Sequence, residues 1–327
     1  MIPDAARLPK AWIGYEPNAT LVPMTGAAGH ACGVLSATGQ PLPAGRTLLS
    51  GGRFTPDPAP PAATLAHLPG RWLFAGVGRH HFGHFLLEAT PRLWAFDHVA
   101  RPVDGIALIP MAGRDIAAVI RRRLGPLLDI LCQGLPVHLI DRPTQVDELI
   151  LPSQGFGHLH WSAGTPEFRT YMRRHLCAAV SPDGPERIYI SRRRLKSRAR
   201  QVPHEQQIEH WMSDAGFTVF HPERHPIPEQ IARYRAARVI VGPDGSAFHL
   251  AAMVMQPGTR VGLIQRRTRQ PVFDAIARQI TSFGQANLWT SAALARFHDD
   301  PQATDDIASL PPELCQLRTD LTEGGFI

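Results

Sequence analysis

The chain has 327 residues, with 34 Lys plus Arg against 28 Asp plus Glu and a formal net charge of +6. A content of 44% hydrophobic and 19% charged residues is globular and excludes a disordered or fibrous chain. No run reaches the eighteen or so consecutive apolar residues of a membrane-spanning helix. Cys32, Cys132, Cys177 and Cys315 are widely dispersed, which speaks against a disulfide framework and fits a reducing compartment. Lys10 and Lys196 are the only lysines. Nearly all positive charge is therefore guanidinium, which suits phosphate; an Arg-rich coding bias is the competing explanation. The N-terminus carries Asp4 and no apolar core of a signal peptide, so a cytoplasmic protein is expected. Peripheral contact with the inner face of a membrane stays open.

Residues 1–70 are rich in Gly and Pro with short apolar runs, a strand- and turn-rich segment, and TPDPAPPAAT (55–64) reads as a loop. WLFAGV (72–77) is a buried strand, followed by a helical stretch to about residue 99. GIALIP (105–110) is a strand, and 115–131 is helical around a break near Gly125–Pro126. PVHLI (136–140) and VDELILP (146–152) are strands, and 165–180 is a helix capped by Thr165 with Pro166 at its first position. SPDGPE (181–186) marks a boundary. Beyond it strands at 187–191, 217–221, 238–242 and 259–265 alternate with helices at 205–216, 227–237, 246–255 and 272–280. That alternation predicts an α/β fold with a parallel sheet. The expected domains are 1–180, with 1–70 as its β-rich opening, and 181–290. Residues 291–327 form a tail that could return to the N-terminal domain.

Ligands of such sheets bind beyond the carboxyl ends of the strands, which directs attention to the polar residues after RIYIS (187–191), FTVFH (217–221) and RVIVG (238–242). Three stretches carry candidate chemistry. RIYISRRRLKSRAR (187–200) puts seven cations on fourteen residues directly after a strand. Ser191 and Arg192 there can donate to an anion; a solvated basic loop or a nucleic-acid contact are the alternatives. VIVGPDGSAFHLAAMV (239–254) runs from a strand through Gly242, Asp244, Gly245 and Ser246 into a helix, whose free N–H groups favour phosphate. Asp244 could cap that helix, bind a sugar hydroxyl or act as a base.

The third stretch is GRHHFGHFLLEATPRLWAF (78–96). Its apolar residues form a helical stripe, and His80, His84 and Glu88 follow at i, i+4 and i+8 on another face. Thr90–Pro91 predicts a kink or a fresh helix capped by Thr90. Three readings stay open for the histidines: metal ligands, an acid–base or substrate-binding pair, or structural polar residues. The HExxH glutamate between the histidines is missing, and so is a DxD motif; Asp299–Asp300 and Asp305–Asp306 read as solvated loop.

Taken in order, these stretches resemble glycosyltransferase family 61. His84-Phe85-Leu86-Leu87-Glu88-Ala89-Thr90-Pro91-Arg92-Leu93 is similar to that family's HW-LL-[DE]-LPRL helix. Ile188 to Arg192, Arg198 or Arg200, His204-Glu205 and Gly216-Phe217 follow its IYISR…R…NE…L…GF pattern. Glu229-Gln230-Ile231, Ala236 or Ala237, and Val241 to Ser246 follow EQI…A…VG.HG. Phe85 stands where Trp is common, His204 where Asn is, and Asp244 where His is frequent. His249 is a conceivable substitute for that histidine.

The resemblance implies a GT-B architecture, two Rossmann-like domains facing a cleft. It implies an inverting, metal-independent transfer from a nucleotide sugar to a glycan or lipid-linked glycan acceptor, without a cofactor, as in capsular or surface-polysaccharide synthesis. The N-terminal domain would present Glu88 and His84, with Asp244 an alternative base, to the acceptor. Ser191, Arg192, Arg198, Glu205, Gly242, Gly245, Ser246 and His249 would hold the donor on the C-terminal domain. Two other classes compete: a non-catalytic polyanion- or nucleic-acid-binding protein using the 187–200 arginines, and a His-rich metal hydrolase.

Overall fold

A computed structural model describes residues 6–26, 30–62, 64–113, 115–197, 201–297 and 310–327. Arg198, Arg200 and the two Asp–Asp pairs lie outside the described residues. The chain divides into two compact units, residues 1–179 and 180–327.

The first unit is built on a six-stranded mixed sheet. Its strands are β1 (Ile13–Val22), β2 (Gly33–Leu35), β5 (Ala66–Gly78), β6 (Gly105–Pro110), β7 (Val137–Leu139) and β8 (Thr144–Pro152), in the order β2-β1-β8-β5-β6-β7. Two short strands, β3 (Leu48–Leu49) and β4 (Arg53–Phe54), pair separately. The four strands β8-β5-β6-β7 run parallel, whereas β1 is antiparallel to both β8 and β2. The unit therefore departs from an all-parallel Rossmann-like sheet. Its opening residues do not stand apart: β1 pairs with β8 along most of its length, Ile13 opposite Pro152 to Leu21 opposite Thr144. Burial explains the recruitment, because Ala19 and Leu21 join Phe74, Ala107, Val146 and Leu149 in one core.

The helices of this unit are α1 (Phe82–Glu88), α2 (Ile116–Leu131) and α3 (Pro166–Ala179). The expected helix to residue 99 is shorter. After α1 the Thr90 hydroxyl bonds back to Leu86 O (2.8 Å) instead of capping a second helix, and Leu93–Asp97 is a 3₁₀ turn. Conversely, the break expected at Gly125–Pro126 is absent, since α2 runs through Pro126. Ile120, Leu124, Leu127, Leu128 and Leu131 form one buried stripe on both sides of the proline. Their burial, at roughly 1.5–3 kcal/mol each, outweighs the ~3 kcal/mol a mid-helix proline costs.

The second unit is a five-stranded parallel sheet of β9 (Arg187–Ile190), β10 (Thr218–Phe220), β11 (Val239–Pro243), β12 (Arg260–Ile264) and β13 (Asn287–Ser291), ordered β10-β9-β11-β12-β13. Its helices are α4 (Glu205–Asp214), α5 (Ile227–Ala236), α6 (Ser246–Val254), α7 (Gln270–Ser282) and α8 (Pro312–Glu323). Tyr189, Val241 and Ile264 on one sheet face pack with Ile208 and Met212 of α4 and with Leu314, Leu317 and Leu321 of α8. The alternate strand residues Ile188, Ile240 and Leu263 point to the opposite face and are fully buried. The segment read as a tail thus supplies a helix to its own unit, and Arg187 donates to Phe326 O (3.0 Å). Among the described residues no helix is long and apolar enough to cross a membrane.

Each sheet has one place where the strand order reverses. In the first unit the chain winds outward from β5 to β7 and then returns to β8 on the other side of β5. In the second it winds from β9 to β10 and then returns to β11 on the other side of β9. Such points leave a crevice beyond the strand ends where ligands bind.

Candidate active site

In the first unit the crevice holds Glu88. Strand β5 ends at Gly78, and Arg79 follows directly. Gly76 lets α1 close onto the strand: its φ is +113°, and a Cβ there would stand 2.5 Å from Glu88 O. The Glu88 side chain is 0% exposed. His84 Nδ1, one turn back, is 3.0 Å from Oε1, and His158 Nε2, from the chain beyond β8, is 2.8 Å from the same oxygen. Arg79 Nε lies 2.7 Å from Oε2. That N–H does not aim at the oxygen, and neither atom has a hydrogen-bond partner among the described residues.

Burial alone would raise the Glu88 pKa. The hydrogen bonds from His158 and His84, with the charges of His158 and Arg79, outweigh it and hold the carboxyl below its ordinary value. An ionised Glu88 accepts a hydrogen bond from each histidine nitrogen facing it. In a neutral His84 that bond keeps the proton on Nδ1 and leaves Nε2 as an acceptor. His84 is the more open ring, with 28% of its side chain exposed against 14% for His158. His81 stacks edge-on against His84 at 4.9 Å; His80 is exposed and precedes α1, so it leaves the helical line with His84 and Glu88.

His84, Glu88 and His158 also bring their donor atoms within 4.8 Å of one another, close enough to hold a cation. Two features of the donor set oppose that. Both histidines already aim at one carboxylate oxygen, and a guanidinium lies beside the other.

In the second unit the crevice lies between the ends of β9 and β11. The Ser191 hydroxyl is 1% exposed and donates to Glu209 Oε1 (2.7 Å). Its single proton is thus committed inside the protein, and the serine braces the turn. Glu205 is 1% exposed and accepts from Arg192 N (2.8 Å) and Tyr189 OH (3.2 Å). Burial, only partly opposed by those bonds and by the Arg192 charge, pushes its carboxyl up to about 7. The buried Glu205 shapes the backbone that presents Arg192. Gly242 permits close approach of β9, since a Cβ would stand 2.6 Å from Ile190 O. At Gly245 a Cβ would overlap the Arg192 guanidinium. Arg192 therefore lies across the N-terminal end of α6, beside the half-buried Ser246. Burial lowers the Arg192 pKa, while Asp244 and Glu205 act to raise it.

Asp244 does not face outward. It is 1% exposed and accepts from Arg266 N (2.9 Å) through Oδ1, while Oδ2 is 3.5 Å from Arg267 Nε. His249 also turns inward: its Nδ1 is 2.6 Å from Gln279 Oε1, and Gln279 Nε2 donates to His249 O, joining α6 to α7. Of the basic run, Arg187 packs over Phe217 at 4.3 Å and Arg193 pairs with Glu209 at 2.8 Å. Arg79, His158, Arg266 and Arg267 were not marked by the sequence pattern.

The Glycosyltransferase 61 family profile matches residues 82–262. The chain belongs to glycosyltransferase family 61. The match covers more than half of the chain and spans α1 to β12, so it contains His84, Glu88, His158, Arg192 and Asp244. It ends before Arg266 and Arg267. No curated protein is similar to the chain in sequence. Membership in family 61 makes this a glycosyltransferase, with a sugar donor and a glycan acceptor as its general partners.

Proposed function

We propose that the protein is an inverting, metal-independent glycosyltransferase of GT-B type. It moves a hexosyl or pentosyl group from a nucleotide sugar to a glycan or lipid-linked glycan acceptor in capsular or surface-polysaccharide synthesis. The observation that carries the reading is the buried Glu88 carboxylate, held ionised and shared by two histidines at the switch point of its sheet. A buried acid with a lowered pKa is a poor base but a good orienting group. His84 Nε2 therefore takes the proton of the acceptor hydroxyl. The hydroxyl oxygen attacks the anomeric carbon, and the bond from that carbon to the diphosphate oxygen breaks, with inversion. The departing diphosphate gains negative charge, which Arg192 and the N-terminal end of α6 stabilise.

Metal independence rests on the donor sets. Guanidinium supplies the positive charge at both crevices, beside Glu88 and beside Asp244. No cofactor is required, and the enzyme works at the cytoplasmic side, where nucleotide sugars are made.

The test is a thermal-shift screen with UDP, GDP and CMP, followed by sugar transfer from the matching donor in EDTA. Saturable stabilisation by one nucleotide and unchanged turnover in EDTA are expected. Activity lost in EDTA and restored by Mn²⁺ would overturn the metal-free reading. Steep salt-dependent DNA binding with no nucleotide effect would overturn the transferase.

A further inference from the structure

Arg266 and Arg267 leave the carboxyl end of β12 beside the end of β11, where Pro243 is in register with Ile264. Asp244 ties the two turns together in both directions. Its N–H donates to Ile264 O (2.8 Å), its Oδ1 accepts from Arg266 N (2.9 Å), and its carbonyl accepts from Arg266 Nε (2.8 Å). Its Oδ2 lies 3.5 Å from Arg267 Nε, a buried atom without a hydrogen-bond partner among the described residues. The Arg266 side chain is 4% exposed and that of Arg267 is 28% exposed.

Three guanidinium groups act on one another here. Arg192, Arg266 and Arg267 influence one another electrostatically, and burial together with the Arg192 charge pushes Arg266 down to about 9. Asp244, Glu205 and Glu223 all act on the Arg192 charge. A buried donor without an acceptor is costly; a phosphate oxygen would satisfy Arg267 Nε, and two linked phosphates match guanidinium groups carried on adjoining turns.

We propose that Arg266 and Arg267, held by Asp244, complete with Arg192 a binding site for a pyrophosphoryl group. Asp244 is a positioning residue there, neither a base nor a sugar ligand. Its carboxylate points back at the arginines, whose charges offset its repulsion of the ligand. It aims two guanidinium groups, each capable of paired donation to phosphate oxygens. The identity of the pyrophosphoryl group as the donor's diphosphate rests on the transferase reading; the anion site itself rests on the cluster.

The experiment is calorimetric titration of the full-length protein with inorganic pyrophosphate, alongside transfer assays. Wild type is expected to bind pyrophosphate, and R266M and R267M to bind it ~10-fold or more weakly. D244N decides Asp244's role by the direction of the change. Coulomb's law alone predicts tighter binding when a negative charge is removed, whereas a positioning role predicts weaker binding. R267K should recover part of the affinity through charge without the planar fork. If D244N or R266M does not fold, as read by near-UV circular dichroism, the partly exposed Arg267 carries the test through R267M. Wild type that ignores pyrophosphate, R267M that binds it like wild type, or folded D244N that binds it more tightly would each overturn the proposal. Pyrophosphate binding that is lost in R267M, in a protein that transfers no sugar, supports the site and sinks the transferase reading. Normal transfer with R267M unaltered in pyrophosphate affinity does the reverse.

Discussion

Glu88 has the surroundings of a carboxylate kept ionised and out of reach of substrate: no exposure, two histidines on one oxygen and a guanidinium beside the other. In the proposed mechanism it sets the tautomer and angle of His84. Glu88→Gln keeps the shape and removes the charge, so the loss should fall on turnover. We expect kcat to drop ~10²–10⁴-fold, the range for a disabled acid–base group, with donor KM nearly unchanged. Steady-state kinetics check this, and a parallel loss of donor affinity would make Glu88 a merely structural group. The His84–Glu88 pair was legible because i and i+4 share a helix face. His158 was not: it joins the carboxylate from 70 residues away, brought back by the strand order, and its own stretch, GHLHW, has no period. Arg266 and Arg267 were within reach of the strand-end rule, which pointed to the residues after β9, β10 and β11 but stopped short of β12.

At the scale of elements, β5 and β8 carry the first crevice, and one buried cation holds the preceding segment against them. Arg92 is 1% exposed. Its Nε donates to Pro152 O (3.1 Å) at the end of β8, and its terminal nitrogens donate to Arg46 O (2.6 Å), Ala44 O (3.3 Å) and Thr47 Oγ1 (3.4 Å). Burial lowers its pKa to about 9. Arg92→Met fills similar volume and leaves those carbonyl groups unmatched in a dry interior. A loss of ~2–4 kcal/mol in urea unfolding is expected, and a change below ~0.5 kcal/mol would mean that the segment finds other partners. Elements with clear local periodicity were read correctly, β9 to β12 and α4 to α7 above all, because each is a short apolar run followed by an amphipathic one. Elements defined by what they meet were not. NLWTS is half-exposed and becomes β13 only by pairing with β12. Residues 312–323 become α8 by burying Leu314, Leu317 and Leu321. The continuity of α2 is the same lesson in reverse, with tertiary burial overriding a local breaker.

For the molecule as a whole, the carboxylates that shape the two crevices respond to pH in opposite directions. Glu88 is lowered in the folded state; its contribution is present above an unfolded pKa near 4.5 and is lost as pH falls through the folded value. Glu205 is raised from 4.5 to about 7. The unfolded chain gives up that proton near pH 4.5, while the folded chain keeps it until about 7. Between those values the native state binds the extra proton, so the stability linked to Glu205 is full below 4.5 and is lost as pH rises through 7. The shift corresponds to ~3 kcal/mol. The difference between wild type and Glu205→Gln isolates the group. Urea unfolding of both proteins from pH 4.5 to pH 8 should show wild type losing ~3 kcal/mol relative to the variant. A difference that stays flat across the range would mean that Glu205 is ionised throughout in the folded protein. The Arg192 turn would then carry a full negative charge beneath it, which would weaken its grip on any phosphate.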